Sequence, residues 1–195
     1  MTYPIIDVGE REQLETLGTK EKFWFRDANG NPWLFKAGRP GTGENWSEKV
    51  TCELAKIIGL PCAHYEMAQW KGLEGVVTPK FVPDNGPLVL GNQVLSHLAS
   101  VLRPAKPYAA GEYNVAIACA LVEKLAPRCT RLSRDSITSD RHPLHYFVGY
   151  LVFDCWIGNP DRHDENWGFV FMPDNSIELA PTFDHASGLG VRGSH

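Results

Sequence analysis

Hydrophobic and polar positions follow two rules along this chain, one for each half. In the first half, apolar residues come in short aromatic-rich runs separated by turn residues. Phe23-Trp24-Phe25-Arg26 and Trp33-Leu34-Phe35-Lys36 flank Asp27-Ala28-Asn29-Gly30-Asn31-Pro32, whose Asn-Gly step predicts a hairpin. Residues 5–8, 63–69 and 75–82 read as further strands. Between them the spacing of Val50, Leu54, Ile57 and Ile58 predicts an amphipathic helix over 47–58, stopped by Gly59 and Pro61. Val82-Pro83-Asp84-Asn85-Gly86-Pro87 is the densest cluster of chain breakers and divides the chain into a lobe at 1–86 and a lobe at 87–195. Beyond it the period becomes helical. Val94, Leu95, Leu98 and Leu102 form one run, residues 112–125 a second, and residues 147–157 a buried helix ending at Gly158. Asn159-Pro160 breaks that helix. Two short strands follow, at 167–172 and 177–180, around the turn Pro173-Asp174-Asn175-Ser176.

Composition changes this picture little. A length of 195 residues suits one domain or two small lobes, and 43% hydrophobic with 22% charged residues describes an ordinary globular chain. A net charge of −4 and no long Lys/Arg run argue against nucleic acid or an anionic membrane as partner. The polar, basic stretch holding Arg128, Arg131, Arg134 and Arg141 reads as a solvated face or loop. Five scattered cysteines without a Cys-x-x-Cys pair speak against a zinc ribbon or disulfide framework. With no basic-then-apolar leader and no run of transmembrane length, the expected location is the cytoplasm. His142, His145 and His163 lack zinc-protease spacing.

The candidate chemistry lies between residues 159 and 185. Asp161, His163 and Asn166 share one tight loop after the buried helix, and Asp184 follows the hairpin. Phosphoryl transfer needs one acid to align the attacking hydroxyl, and an amide and a second acid to hold Mg²⁺ on nucleotide phosphates. Asp161 fits the first role; Asn166 and Asp184 fit the second. Taken singly, each is equally at home as a turn residue bonding its own backbone. Lys36, at the exit of an apolar strand, is either an edge lysine with its head in solvent or the lysine that grips the α/β-phosphates. Such a lysine needs a helix glutamate; Glu48 and Glu53 compete, and Glu48 could instead form a capping pair with Asn45. Gly18, before the first long strand, reads by sequence alone as a plain turn and is the one candidate for a phosphate-covering loop. The backbone of Lys80, Phe81 and Val82 near the lobe boundary is where an adenine base would pack.

The phrase Ile157-Gly158-Asn159-Pro160-Asp161-Arg162-His163, continued by Asn166-Trp167-Gly168 and by residues 179–190, resembles the HipA-like kinases, relatives of the phosphatidylinositol kinases. Over residues 17–190 the resemblance implies an α+β, two-lobed protein-kinase-like fold. Its N-lobe would be an antiparallel sheet with one helix, and its C-lobe mostly helical. The resemblance puts a nucleotide loop near Gly18 and the phosphate lysine at Lys36. It matches the family's Ser-Glu to Ser47-Glu48, which selects Glu48, and assigns His163 to orienting the catalytic loop. It implies an ATP- and Mg²⁺-dependent serine/threonine kinase acting on a protein such as a translation factor, as toxins of toxin–antitoxin pairs do, with an antitoxin as partner. A lipid kinase and a nucleotide- or partner-binding module without turnover are the alternatives. Kinase-like proteins continue past the metal-binding acid with an activation segment and further helices, whereas this sequence ends eleven residues after Asp184, in a tag-like Arg192-Gly193-Ser194-His195. The helices at 115–125 and 147–157 are apolar over more than one face, so a further polypeptide is expected against them.

Overall fold

The computed structural model describes residues 4–14, 20–84, 86–102, 108–125 and 142–191. Gly18 and the basic stretch from Arg128 to Arg141 lie outside them. Strands β1 (Ile6–Asp7), β2 (Gln13–Leu14), β3 (Lys22–Arg26) and β4 (Pro32–Ala37) lead into helix α1 (Glu44–Ile57), which is followed by β5 (Glu66–Trp70) and β6 (Leu73–Pro79). They form one six-stranded sheet in the order β1-β5-β6-β4-β3-β2. The sheet is mixed and not antiparallel as expected, because β1 runs parallel to β5 with Ile6 opposite Ala68. A parallel pair needs a long crossover, so a pattern of neighbouring hairpins could not announce it.

The β3–β4 hairpin turns as its sequence predicts. Asp27 Oδ1 accepts from the N–H groups of Asn29 and Asn31, and Gly30 takes a φ of 81°. Pleating then sorts the side chains. Phe23, Phe35 and Val77 lie in register on one face and form a core with Phe25, Ala37 and Ala68. Lys36 and Val76, one residue out of phase, face the other way, toward the layer holding Cys52, Ala63 and Tyr65. A slip of one residue would carry Lys36 into the aromatic core.

The packing of α1 differs from the amphipathic expectation. Its buried residues are Glu44, Ser47, Glu48, Lys49, Thr51, Cys52 and Ala55, whereas Val50 and Ile57 are exposed, Ile57 at 80%. Asn45 is not its cap either. Gly43, at φ 80°, occupies the N-cap without a side-chain bond, so no capping pair with Glu48 forms.

Residues 88–90, expected to open a helical region, are strand β7 (Leu88–Leu90), which pairs with β8 (Gly168–Phe171) ahead of β9 (Ile177–Leu179) in an antiparallel three-stranded sheet. Helices α2 (Gly91–Leu102), α3 (Val115–Leu125) and α4 (Pro143–Ile157) accompany it, with a 3₁₀ turn at Ala110–Glu112. Their common core joins Leu95, Leu121, Val122, Phe147, Trp167 and Phe169. Pro143 sits at the start of α4, and Gly158, at φ 64°, ends it, returning its N–H to Asp154 and Cys155 carbonyls. Trp156 and Val152 on α4 are 62% and 64% exposed. No helix among the described residues is long and apolar enough to cross a membrane.

Candidate active site

Three distant segments meet at Lys36. Its ammonium donates to Glu48 Oε1 at 2.8 Å and is ion-paired with Asp184 Oδ1. The other oxygen of Glu48 accepts the backbone N–H of His185 at 2.9 Å, so one carboxylate ties β4, α1 and the segment after β9 together. Ser47, its neighbour on α1, donates to the carbonyls of His185 (2.8 Å) and Gly188 (3.0 Å). Glu53 is elsewhere, between Lys49 and Lys56. Asp184 holds a left-handed backbone, φ 61°, which costs a non-glycine residue energy and is characteristic of functional turns.

Charge at this point is dense. Burial alone would lower the Lys36 pKa, yet Glu48 and Asp184 outweigh it and hold the ammonium well above its usual range. Burial would raise Asp184, but Lys36, by charge and by hydrogen bond, holds it well below the usual carboxylate range. Glu48, desolvated and beside a second carboxylate, is pushed up despite Lys36. One ammonium facing two carboxylates leaves room for another cation.

The loop after α4 is built by a residue the sequence analysis did not single out. Arg162 makes a two-pronged contact with the buried Asp154, Nε to Oδ2 at 2.7 Å and Nη2 to Oδ1 at 2.8 Å. The same guanidinium donates to the Phe183 carbonyl at 3.1 Å, to Thr182 Oγ1 at 2.9 Å and to the Asn166 carbonyl, and lies 3.1 Å from His185 Nε2. It therefore locks the loop to the segment bearing Asp184. Its signal was the position between Asp161 and His163, below a helix that ends with a buried acid. Asn159 adds a 2.8 Å bond to Asp154 and accepts the Asp161 N–H at 3.3 Å.

Asp161 itself is half-exposed, its carboxylate 3.7 Å from His163 Nε2. His163 Nδ1 accepts the Glu165 N–H at 3.2 Å, which fixes the ring within the loop. The buried Asn166 donates its amide to the Asp161 carbonyl at 2.6 Å. The oxygen of that amide and the Asp184 carboxylate are hard donors of the kind Mg²⁺ takes. Of the backbone proposed for adenine, the Lys80 N–H is already bonded to the Pro32 carbonyl at 3.0 Å, and its ammonium pairs with Asp84. Val82 is half-buried. The exposed Phe81 ring stacks 6.1 Å from Phe183. A shallow surface recess beside Lys36 is lined by Lys20, Gly38, Glu44, Glu48 and Ala186.

A strand lysine paired with a helix glutamate, followed by helices and an acidic loop, is the plan of a kinase-like domain. The family model described as the HipA-like C-terminal domain matches residues 14–194, and the chain belongs to that family. Among solved structures, it is similar to the Helicobacter pylori proinflammatory kinase CtkA, with 21% identity, a TM-score of 0.67, and coverage of 96% of this chain and 60% of that one. It is also similar to HipA of Shewanella oneidensis MR-1, solved in a complex of HipA, HipB and operator DNA, with 17% identity, a TM-score of 0.58, and coverage of 92% and 45%. The chain thus spans less than two thirds of either structure. No curated protein matches it.

Proposed function

We propose that this domain is an ATP- and Mg²⁺-dependent phosphotransferase of the HipA-like kind, passing the γ-phosphoryl group to a serine or threonine of a protein. The observation that carries the reading is the meeting of Lys36, Glu48 and Asp184, which lie 12 and 148 residues from the lysine along the chain. Kinase chemistry uses such a set: the lysine grips the α/β-phosphates, and the glutamate holds the lysine. In this reading residues 1–86 are the nucleotide lobe and 87–195 the catalytic lobe.

Each residue has a defined task. Asp161, exposed at the loop, accepts the acceptor hydroxyl's proton as its oxygen attacks the γ-phosphorus. His163 and Asn166 hold that loop in shape. Asn166 and Asp184 would hold Mg²⁺, which supplies neutralisation of phosphate charge. Asp184 takes up the Lys36 ammonium in this structure, so a phosphate at Lys36 competes with that ion pair. Gly18 belongs to the covering loop, and Phe81, with the backbone of Lys80 and Val82, to the adenine side. A cytoplasmic protein acceptor, an antitoxin of the HipB type and a further polypeptide against the exposed helix faces complete the proposal.

Asp161→Asn tests it. Phosphate transfer from labelled ATP to protein should fall by about 10²–10⁴ while ATP affinity is kept, since Asp161 serves the acceptor and not the nucleotide. Most of the activity surviving in a variant with a native circular dichroism spectrum would overturn the assignment.

A further inference from the structure

The sequence scatters its cysteines, but the fold brings two of them together outside the roles given above. Cys52 lies on α1 one turn beyond Glu48 and is fully buried, and the half-buried Cys62 packs against it. Sγ of Cys52, a carboxylate oxygen of Glu53 and a ring nitrogen of His64 all lie within 4.8 Å of one another. A thiol, an imidazole and a carboxylate, with the second thiol of Cys62 packed beside the first, are donors that suit a tetrahedral zinc-class ion.

Two further contacts point the same way. Lys56 Nζ sits among these groups, 2.8 Å from His64 Nδ1 and 2.9 Å from Glu53 Oε1. An ammonium can only donate, so Nδ1 presents a lone pair to the cluster, and Lys56 occupies it as a cation would. The hydrogen on Nε2 then goes to Glu66 Oε1, 2.9 Å away. A ligating histidine usually donates its second N–H to a carboxylate, which fixes its tautomer and raises its basicity.

We propose that Cys52, Glu53 and His64 form a binding site for one thiophilic divalent cation of the zinc class, with Lys56 as the charge it displaces and the neighbouring Cys62 turning in as fourth ligand. Ligand bonds of about 2.0–2.3 Å set tetrahedral donor atoms about 3.5 Å apart, so side-chain rotations close the cluster from its present span. Binding releases the thiol protons and swings the half-exposed Lys56 into solvent. The ion joins α1 to the loop at Cys62, which is itself bridged to Thr182, two residues before Asp184. The site is thus a clamp between the helix of Glu48 and the segment of Asp184.

The test uses the whole 195-residue chain with Co²⁺ as optical probe and Zn²⁺ in competition with a chelator. One equivalent of Co²⁺ should give thiolate-to-cobalt charge-transfer absorption, which an oxygen-donor site at Asn166 and Asp184 cannot produce. His64→Gln, at the surface and safe for folding, should weaken Zn²⁺ by at least the about 10–100-fold that outer-shell partners are worth. Lys56→Met should tighten it, and Cys155→Ser, at an exposed thiol elsewhere, should leave it unchanged. Absence of the charge-transfer band, or equal affinity in wild type and His64→Gln, would overturn the site, whatever the outcome for phosphate transfer.

Discussion

Single residues in this domain answer to several masters, and Arg162 and His185 show how. Arg162 spends its guanidinium on Asp154, on Thr182 and on the carbonyls of Asn166 and Phe183, so a lysine there could not reproduce the fork. His185 is fully buried against that guanidinium, and Phe153 packs edge-on to its ring. Burial first, and the Arg162 charge second, push its pKa down to about 3. The consequence for stability has a definite sign. Below about 6.5 the unfolded histidine takes a proton that the folded one refuses, so stability is lost as pH falls through 6.5 toward 3. Between pH 7 and 5, in Mg²⁺-free buffer, His185 should account for about 2 kcal/mol of lost stability, at up to about 1.4 kcal/mol per pH unit. Denaturant titrations of wild type and His185→Gln measure it. The variant should be flatter over this range, and parallel curves would contradict the account. Spacing in the sequence picked out Asp161, Asn166 and Asp184 as candidates. It could not show Arg162 as a hub, because its five partners come from three separate places in the chain.

Elements tell a second story, centred on α1. Its apolar positions predicted the buried face, and the structure buries the polar one. Ser47, Glu48 and Cys52 turn inward because Lys36 and the His185 backbone need partners there, while Val50 and Ile57 are left outside. Helical period is thus a good guide to where a helix lies and a poor guide to its inner face when that face carries a site. Strand β7 was missed for another reason: three residues abutting α2 are too short to show their own period. The exposed positions Val148, Val152 and Trp156 run up one side of α4, and Ile57 ends α1 nearby, where Ala55 packs with Phe153 and Ile157. Apolar surface of this kind favours association. In size-exclusion chromatography the wild-type domain should therefore associate with itself or with its partner polypeptide, and Val152→Glu with Trp156→Glu should abolish that. Surface changes of this sort alter stability by only about 0.5 kcal/mol. A wild-type domain that elutes as a monomer and transfers phosphate at full rate would contradict the claim.

At the scale of the whole molecule, the account comes down to whether two layers meet around a nucleotide. The six-stranded sheet contributes Lys36, α1 contributes Glu48, and the chain after the three-stranded sheet contributes Asp184, with Asn166 on the loop before it. The family membership sets the general class; the nucleotide and metal are what remain to be measured. Calorimetric titration of ATP into wild type and Asp184→Ala, each with and without Mg²⁺, is the most direct test. In the proposed site Asp184 would meet the nucleotide through the metal, and in the structure it pairs with Lys36. Its removal should therefore weaken Mg²⁺-ATP binding severely while leaving Mg²⁺-free ATP binding equal or stronger. Equal losses in the two conditions, or no ATP binding by the wild type, would contradict the assignment of this site.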